Sequence, residues 1–379
     1  MIWSSCGGHG FGGAISRGRT VRPSFFGRGL KTCAAMSTVS IKDIARVAKV
    51  SHSTVSRALH NSPLVSRETA ERIRRIAEQM GYRPSAVARS LVTRKTKTIG
   101  VVVTTIADPF IAEVVSGIEE VANDHGYSVF LANSNADPDR EIKVVHSFHE
   151  RRVDGILVTA SRVGALYMDH LSEMKVPIVL INNQHPGEFV HSVMIDNITA
   201  SRAATEHLIQ LGHRRIAYIG DQFGYQSDTE RFAGYRQALE RAGLTFQPEL
   251  VVHGDGKPEG GMRAMERLLA LIPPPTAVFC YNDMTALGAL RVARTKGIRV
   301  PEDISLVGFD DLFIASYTEP PLTTIRQPKR QMGRRAMELL LQLLKGENSQ
   351  QTIWMQGELI LRDSTAPPRE EGADVHPRP

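Results

Sequence analysis

Three short bursts of helical periodicity occupy residues 40–81, separated by two tight connections. Ile41, Ile44, Ala45 and Ala48 supply the first apolar stripe, and Ser40 with Asp43 three residues later makes a capping box at its start. Lys49-Val50-Ser51 forms a three-residue turn, and Ser51 caps a second helix that begins at His52. Val55, Ala58 and Leu59 of that helix face inward, which leaves His52, Ser53, Ser56 and Arg57 outside. The spacing is that of a helix-turn-helix, whose second helix can offer its N-terminal side chains to base edges in the DNA major groove. Three-helix units that never meet DNA share this pattern, so other features must decide.

Beyond Thr98 the period changes. Apolar runs at residues 99–103, 128–132, 155–158, 178–181, 215–219, 277–281 and 304–308 alternate with helical patterns. The first run is followed by a helix with one apolar face, Ile111, Val114, Val115, Ile118, Val121 and Ala122. Such βαβ alternation predicts parallel sheets covered on both faces. At this length it predicts two doubly wound lobes with a cleft where strand C-termini face one another.

Charge separates the two regions. Residues 37–97 hold thirteen Lys/Arg against four Asp/Glu, whereas the chain beyond residue 97 holds 28 against 36. A basic small unit on an acidic body suits a domain that grips phosphates by releasing counterions. Between them, Arg83-Pro84 stops a helix, Ser85 can cap another, and a basic segment with an apolar tip runs to Leu91. The cysteines, Cys6, Cys33 and Cys280, have neither metal nor redox spacing, and no apolar run approaches the ~18 residues needed to span a membrane. Residues 1–36 carry five Lys/Arg, no acid and no period. They read as a disordered tail or a misassigned start ahead of Met36, with a transit peptide as the alternative. Residues 367–379 are Pro- and charge-rich and are expected to be disordered.

The motifs IKDIARVAKVSHSTVSRAL, GYRPSAVARSL, IADPF, RRVDGILV, HLIQLGHRRIAYIGD, ERFAGY, YNDMTALGAL, VPEDISLVGFDD and PPLTTIRQP occur in order between Val39 and Pro367. In these the chain resembles the lactose/galactose repressor family of bacterial transcription regulators, most like its ribose and purine repressors. The resemblance implies an all-α helix-turn-helix DNA-binding domain (37–84) and a hinge helix with linker (85–97). These lead into an α/β two-lobed periplasmic-binding-protein-like body (98–366) built on doubly wound parallel sheets. Its first lobe is expected over about 98–196 and 323–350 and its second over about 197–322 and 351–366. The crossings then fall near residues 196–197, 322–327 and 350, and a helix over 328–345 returns to the first lobe.

By residue-wise match, His52, Ser53 and Arg57 fall on the family's base-reading positions, with Arg57 placed for a bidentate contact to guanine. Ser51, Thr54 and Ser56 fall where phosphates are held or the helix is capped. Ala88, Arg89 and Ser90 match hinge positions, and Leu91 matches a leucine that relatives wedge into the minor groove. Lys49 departs from the Gly or Asn that many relatives place in the turn, at a cost on the order of 1 kcal/mol if the residue is left-handed.

In the body, Asp108, Phe110, Asn182, Asn183, Asn282, Asp283, Asp310 and Asp311 stand at strand ends, and Arg231 begins a helix. Carboxylates, amides and a guanidinium beside an aromatic plate suit a polyhydroxylated ring. Similarity to the family's sugar regulators makes Arg231, Asn282 and Asp310 the leading effector contacts, Phe110 the stacking wall, and Asp108 and Asn182 secondary contacts. Plainer readings stand beside these: Asp283 and Asp311 as helix caps, and Phe110 as core. His207 and His213 read as a structural helix-end motif. His146 and His149 share a helix face without a third ligand, so no metal and no cofactor is expected.

The expectation is a cytoplasmic, nucleoid-associated regulator that is not an enzyme. It would act as a homodimer on pseudo-palindromic double-stranded operator DNA, repress a carbohydrate-utilisation operon and respond to a sugar-like effector, away from any membrane. A transport sugar-binding protein would leave the basic domain idle, and a purine-responsive repressor is the nearer rival. A hydrolase using the Asp pairs lacks a nucleophile elbow, a phosphate loop and a metal triad.

Overall fold

The computed structural model describes residues 39–82, 95–161, 176–184, 191–347 and 351–369. The chain divides into two compact units between residues 84 and 85. The expected hinge residues Ala88, Arg89, Ser90 and Leu91 lie outside the described residues, as do residues 1–36.

The N-terminal unit holds α1 (Ile41–Ala48), α2 (His52–Leu59) and α3 (Arg67–Gln79). Its core is small: Ile44, Val55, Ala58 and Ile73 are fully buried, with Ala45, Ala48, Ala70 and Ala77 around them. Alanine at five of these sites lets short helices approach closely, so three of them bury a core in under fifty residues. Arg72 and Arg74 of α3 reach the carbonyls of Ala48 and Ala58 at the C-terminal ends of α1 and α2, each at 3.4 Å. The third helix closes at Gly81, φ +67°, where the Tyr82 N–H bonds the Ala77 carbonyl and the Gly81 N–H bonds that of Glu78.

The larger unit contains two six-stranded sheets. The first takes β1 (Thr98–Val103), β2 (Ser128–Asn133), β3 (Gly155–Thr159), β4 (Ile178–Ile181), β5 (Ser192–Ile195) and β11 (Thr352–Met355), in the order β2-β1-β3-β4-β5-β11. The second takes β6 (Ile216–Asp221), β7 (Val251–Gly254), β8 (Ala277–Cys280), β9 (Ser305–Asp310), β10 (Thr323–Arg326) and β12 (Glu358–Ile360), in the order β7-β6-β8-β9-β10-β12. Every pairing is parallel except β10 with β12. In both sheets the order reverses beside the first strand, the switch point at which doubly wound folds open a crevice.

Strand residues alternate between two cores, as a sheet covered on both faces requires. Ile99, Val101 and Val103 of β1 join the core under α4 (Pro109–Asp124) and α10 (Lys329–Leu344), while Val102 joins the core under α5 (Pro138–Glu150). In the second sheet Ala217 and Ile219 face α8 (Pro258–Leu269) and α9 (Asp283–Thr295). Ile216 and Tyr218 face α6 (Asn197–Gln210) and α7 (Gln226–Arg241).

Two strands fall in the other lobe from the one expected. Residues 323–326 form β10 beside β9, so they belong to the second sheet, and 352–355 form β11 beside β5, so they belong to the first. The crossings therefore fall at 196–197, 327–328 and 356–357. Backbone register decides this, since Thr352 to Met355 align with Ser192 to Ile195. The last crossing uses Gly357, where a Cβ would lie 2.8 Å from Ile325 Cγ2 and 3.0 Å from Ala200 Cβ. The expected return helix is α10, packed on α4 and the first sheet.

Paired helices cross at glycines. A Cβ on Gly333 of α10 would sit 2.0 Å from the Val114 carbonyl of α4, and one on Gly117 would meet the Arg330 carbonyl at the same distance. Because those neighbours are backbone, Gly333→Ala must force the helices apart. The expected cost is about 1–3 kcal/mol, seen as a lower urea midpoint at unchanged slope. An unchanged midpoint would mean that the two helices do not touch at this crossing.

Candidate functional site: an exposed helix and an acidic cleft

In the small unit, local hydrogen bonds set the pose of α2. The Ser40 N–H and hydroxyl both donate to Asp43 Oδ2, at 3.1 and 2.6 Å, and hold that carboxyl below its ordinary range with help from Arg46. Lys49 ends α1 at φ 50°, ψ 44°, the left-handed conformation expected for the turn. Ser51 Oγ accepts the Thr54 N–H at 3.1 Å and lies 2.7 Å from Ser53 Oγ and 2.8 Å from Thr54 Oγ1. His52, Ser53 and Arg57 are exposed, whereas Thr54 and Ser56 are half-buried beside Val55 and Ala58. Of the residues expected to position the helix, Thr54 and Ser56 are half-buried and Ser51 is exposed. Ser53 differs from His52 and Arg57 in one respect, since its hydroxyl is already drawn to the cap.

In the body, strand C-termini of both sheets bring polar residues together. Arg231 on α7 is 4 % exposed and held on every side. Its Nε donates to Asn197 Oδ1 (3.0 Å), its Nη1 to the Tyr281 carbonyl (2.6 Å), and its Nη2 lies 3.8 Å from Asp310 Oδ1. The rings of Phe309 and Tyr281 cover the guanidinium at 3.7 and 4.7 Å. Asp310 Oδ1 accepts Gln327 Nε2 at 2.6 Å, while the Asp310 and Asp311 carbonyls accept Lys329 Nζ at 2.6 and 2.8 Å. Lys329 opens α10 of the first lobe, so its ammonium ties that lobe to the end of β9 in the second. It also faces Glu113 of α4 at 3.5 Å. A second tie joins Gln184 Oε1 of the first lobe to the Gln226 N–H of the second, at 2.6 Å.

Acids dominate. Asp108 caps α4 through the Phe110 N–H at 2.9 Å, and burial raises its pKa. Burial raises Asp310 to about 6, against the lowering pull of Arg231 and with a further push from the charge of Asp108, which reports the two lobes facing each other. Asp283 is fully buried; burial and then the neighbouring Asp310 push it up to about 8.

Several sequence expectations resolve differently. Asn282 caps α9: its Oδ1 accepts the Thr285 N–H and hydroxyl at 2.8 and 2.7 Å, and its Nδ2 donates to the Gly256 carbonyl at 3.0 Å. Asp283 is therefore not the cap. It accepts from the Leu312 N–H (2.7 Å) and the Thr324 hydroxyl (2.6 Å), tying α9 to the ends of β9 and β10. Nor does Asp311 cap a helix, because it pairs with Arg326 at 2.7 Å and Arg362 at 2.6 Å. Phe110 is half-buried against the first core. Asn182 stands at the end of β4 with φ 51°. His213 bonds Thr276, Ser305 and the Ala366 carbonyl, and His207 bonds Thr365, so both fasten the C-terminal strap to the second lobe.

Asn197, Tyr281, Gln327 and Lys329 were missed from sequence. Asn197, Gln327 and Lys329 sit at or beside chain crossings, and that placement was the available signal. Among the described residues no group of three His, Cys, Asp or Glu side chains could hold a metal, and no helix is long and apolar enough to cross a membrane.

Comparison with known proteins agrees with this division. The family model for bacterial regulatory proteins, lacI family, matches residues 40–85, and that for a periplasmic binding protein-like domain matches residues 205–365. The HTH-type transcriptional repressor CytR of Escherichia coli (strain K12) is 38% identical over 330 residues, covering 87% of this chain and 97% of that protein. The crystal structure of the lac repressor dimer bound to operator and the anti-inducer ONPF aligns at TM-score 0.80 and 29% identity, over 87% of this chain and all of that one. The transcriptional regulator CelR–cellobiose complex aligns at TM-score 0.66 and 34% identity, over 86% and 99%.

The buried acids make stability depend on pH with a definite sign. The folded chain keeps protons on Asp310 and Asp283 that the unfolded chain releases above about pH 4. Their contribution is therefore full below about pH 4 and falls as pH rises through about 6 and then about 8. Asp283→Asn, which retains a hydrogen-bonding side chain without the ionisable proton, should gain stability relative to wild type between pH 5 and pH 8.5. Urea titrations at both pH values measure this, and an identical difference at the two would exclude titration of the buried acid.

Proposed function

We propose that this chain, which belongs to the lacI family of bacterial regulatory proteins, is a DNA-binding transcriptional repressor of a carbohydrate-utilisation operon, governed by a small sugar-like effector held between its two lobes. The observation that carries the reading is the pairing, in one chain, of a capped helix exposing His52 and Arg57 with an acidic cleft at two facing switch points. An exposed Arg can fork onto guanine O6 and N7, and the acids and amides of the cleft can accept from hydroxyls. A transport binding protein would use the cleft alone and leave the helix without a task.

The working unit is a homodimer, since a single helix-turn-helix reads only half of a pseudo-palindromic site. In this reading residues 85–92 form the hinge, Leu91 enters the minor groove, and Ala88 and Arg89 flank it there. Effector binding changes how the first lobes of the dimer face each other, and that orientation decides whether the hinges seat on DNA. Asp108, Phe110, Asn182, Arg231, Asn282 and Asp310 are the proposed effector contacts, with Asn282 acting through its cap. The protein then works in the cytoplasm, at the nucleoid. A purine-responsive repressor is the second reading, favoured by the Phe223–Tyr225 pair, with ring centroids 6.3 Å apart, on the segment after β6.

Two measurements test this. Arg57→Ala should leave non-specific DNA binding and the fold intact while losing about 1–3 kcal/mol of discrimination, roughly ten- to a hundredfold, at one base pair of the operator. A variant with full discrimination would remove Arg57 from base reading. Coupling must also be reciprocal, so an effector titration with and without operator should differ by the same factor that the effector imposes on DNA affinity. Equal effector affinities would refute the regulatory link.

A further inference from the structure

We infer that the effector is an uncharged or cationic molecule rich in hydrogen-bond donors, and that the cleft rejects phosphate esters and carboxylates. This inference rests on the cleft being the effector site. It follows from what the cleft's charged groups already do.

Both cations found there are committed. Arg231 spends Nε on Asn197 and Nη1 on the Tyr281 carbonyl, has aromatic rings against it, and turns its remaining edge toward Asp310. Lys329, 4 % exposed, spends its ammonium on two carbonyls beside Glu113. An arriving phosphate would therefore have to displace a partner from one of these two. It would also lie close to Asp310, whose carboxyl already feels the charge of Asp108. Like charges brought together where water is scarce repel strongly.

The uncommitted groups are acceptors. Gln327 is 2 % exposed, and its Nε2 is fixed on Asp310 Oδ1, which orients the amide and leaves Oε1 buried without a donor among the described residues. Asn182 Oδ1, at the end of β4, is buried and unpaired in the same way. Buried acceptors rarely stay unpaired in native proteins, so each calls for an O–H or N–H from a bound molecule. Hydroxyls and amines bring such hydrogens, whereas a phosphate or carboxylate brings further lone pairs. The site thus discriminates by what it lacks: a ligand that supplies donors satisfies Gln327 and Asn182, and one that supplies only acceptors leaves both unmet.

The test is a thermal-shift and calorimetric comparison on the full chain with matched pairs: ribose against ribose 5-phosphate, glucose against glucose 6-phosphate, and adenosine against its 5′-monophosphate, with cellobiose and glucosamine alongside. The uncharged or amine-bearing member of at least one set should bind, and its ester should bind at least a hundredfold more weakly. Asn182→Leu and Gln327→Leu should each weaken the bound member at least tenfold while the protein remains folded. Each should have a lower ligand-free urea midpoint, because leucine must take up φ 51° at position 182 and the bond to Asp310 is lost at position 327. An ester that binds as tightly as its parent overturns the inference, as does a complete panel in which no uncharged or amine-bearing compound binds. So does a ligand whose affinity survives both leucine variants. Operator release by the same ligand is read separately. A ligand that obeys the donor rule yet leaves operator affinity unchanged defeats the regulatory reading and leaves this one standing.

Discussion

Asp310 is an aspartate at φ 114°, a backbone conformation that residues with a Cβ rarely adopt, and Asp311 follows at φ 51°. Consecutive residues of this kind cost on the order of 1–3 kcal/mol each and persist only when their surroundings hold them. Here the restraint comes from both lobes. Lys329 of the first lobe grips the two carbonyls, Gln327 at the crossing grips the Asp310 carboxyl, and Arg326 with Arg362 grips Asp311 from the other side. The turn at the end of β9 is thus a strained joint whose geometry depends on how the lobes sit.

The proposed ligand site and the lobe crossings therefore share residues. Asn197 stands at the first crossing and bonds Arg231; Gln327 stands at the second and bonds Asp310. A ligand that donates to Asp310 or displaces a partner of Arg231 would pull directly on two of the three chain segments that join the lobes. No long relay is needed to convert binding into a change of lobe angle. The helix pair α4 and α10 is held as a unit by close glycine crossings and by Glu120 of α4, which pairs with both Arg330 and Arg334 of α10.

The small domain was legible almost residue by residue because every signal there is local. Caps, helical period and the left-handed Lys49 all act within four positions along the chain. The alternating body was legible as a class, and the strands that run through buried cores stood out as apolar runs. The short strands did not: β7 is a half-exposed edge, while β10 and β11 mix threonine with apolar residues, and their partners are set by register with strands far away in sequence. The same distance hid the cleft's wiring. That Asn282 is a cap follows from the Thr285 N–H three residues on and could have been read, but that Asp283 meets Thr324, or that Lys329 meets Asp310, is a product of the fold.

The proposed switch runs through the Lys329 ammonium, which ties the first lobe to the end of β9 beside the cleft. Its most direct test is the operator affinity of Lys329→Met, followed by fluorescence anisotropy with and without a saturating cleft ligand. Operator affinity should no longer respond to the ligand, although the ligand still binds and the helix-turn-helix still holds non-specific DNA as wild type does. A Lys329→Met protein that switches by the full wild-type factor would contradict it.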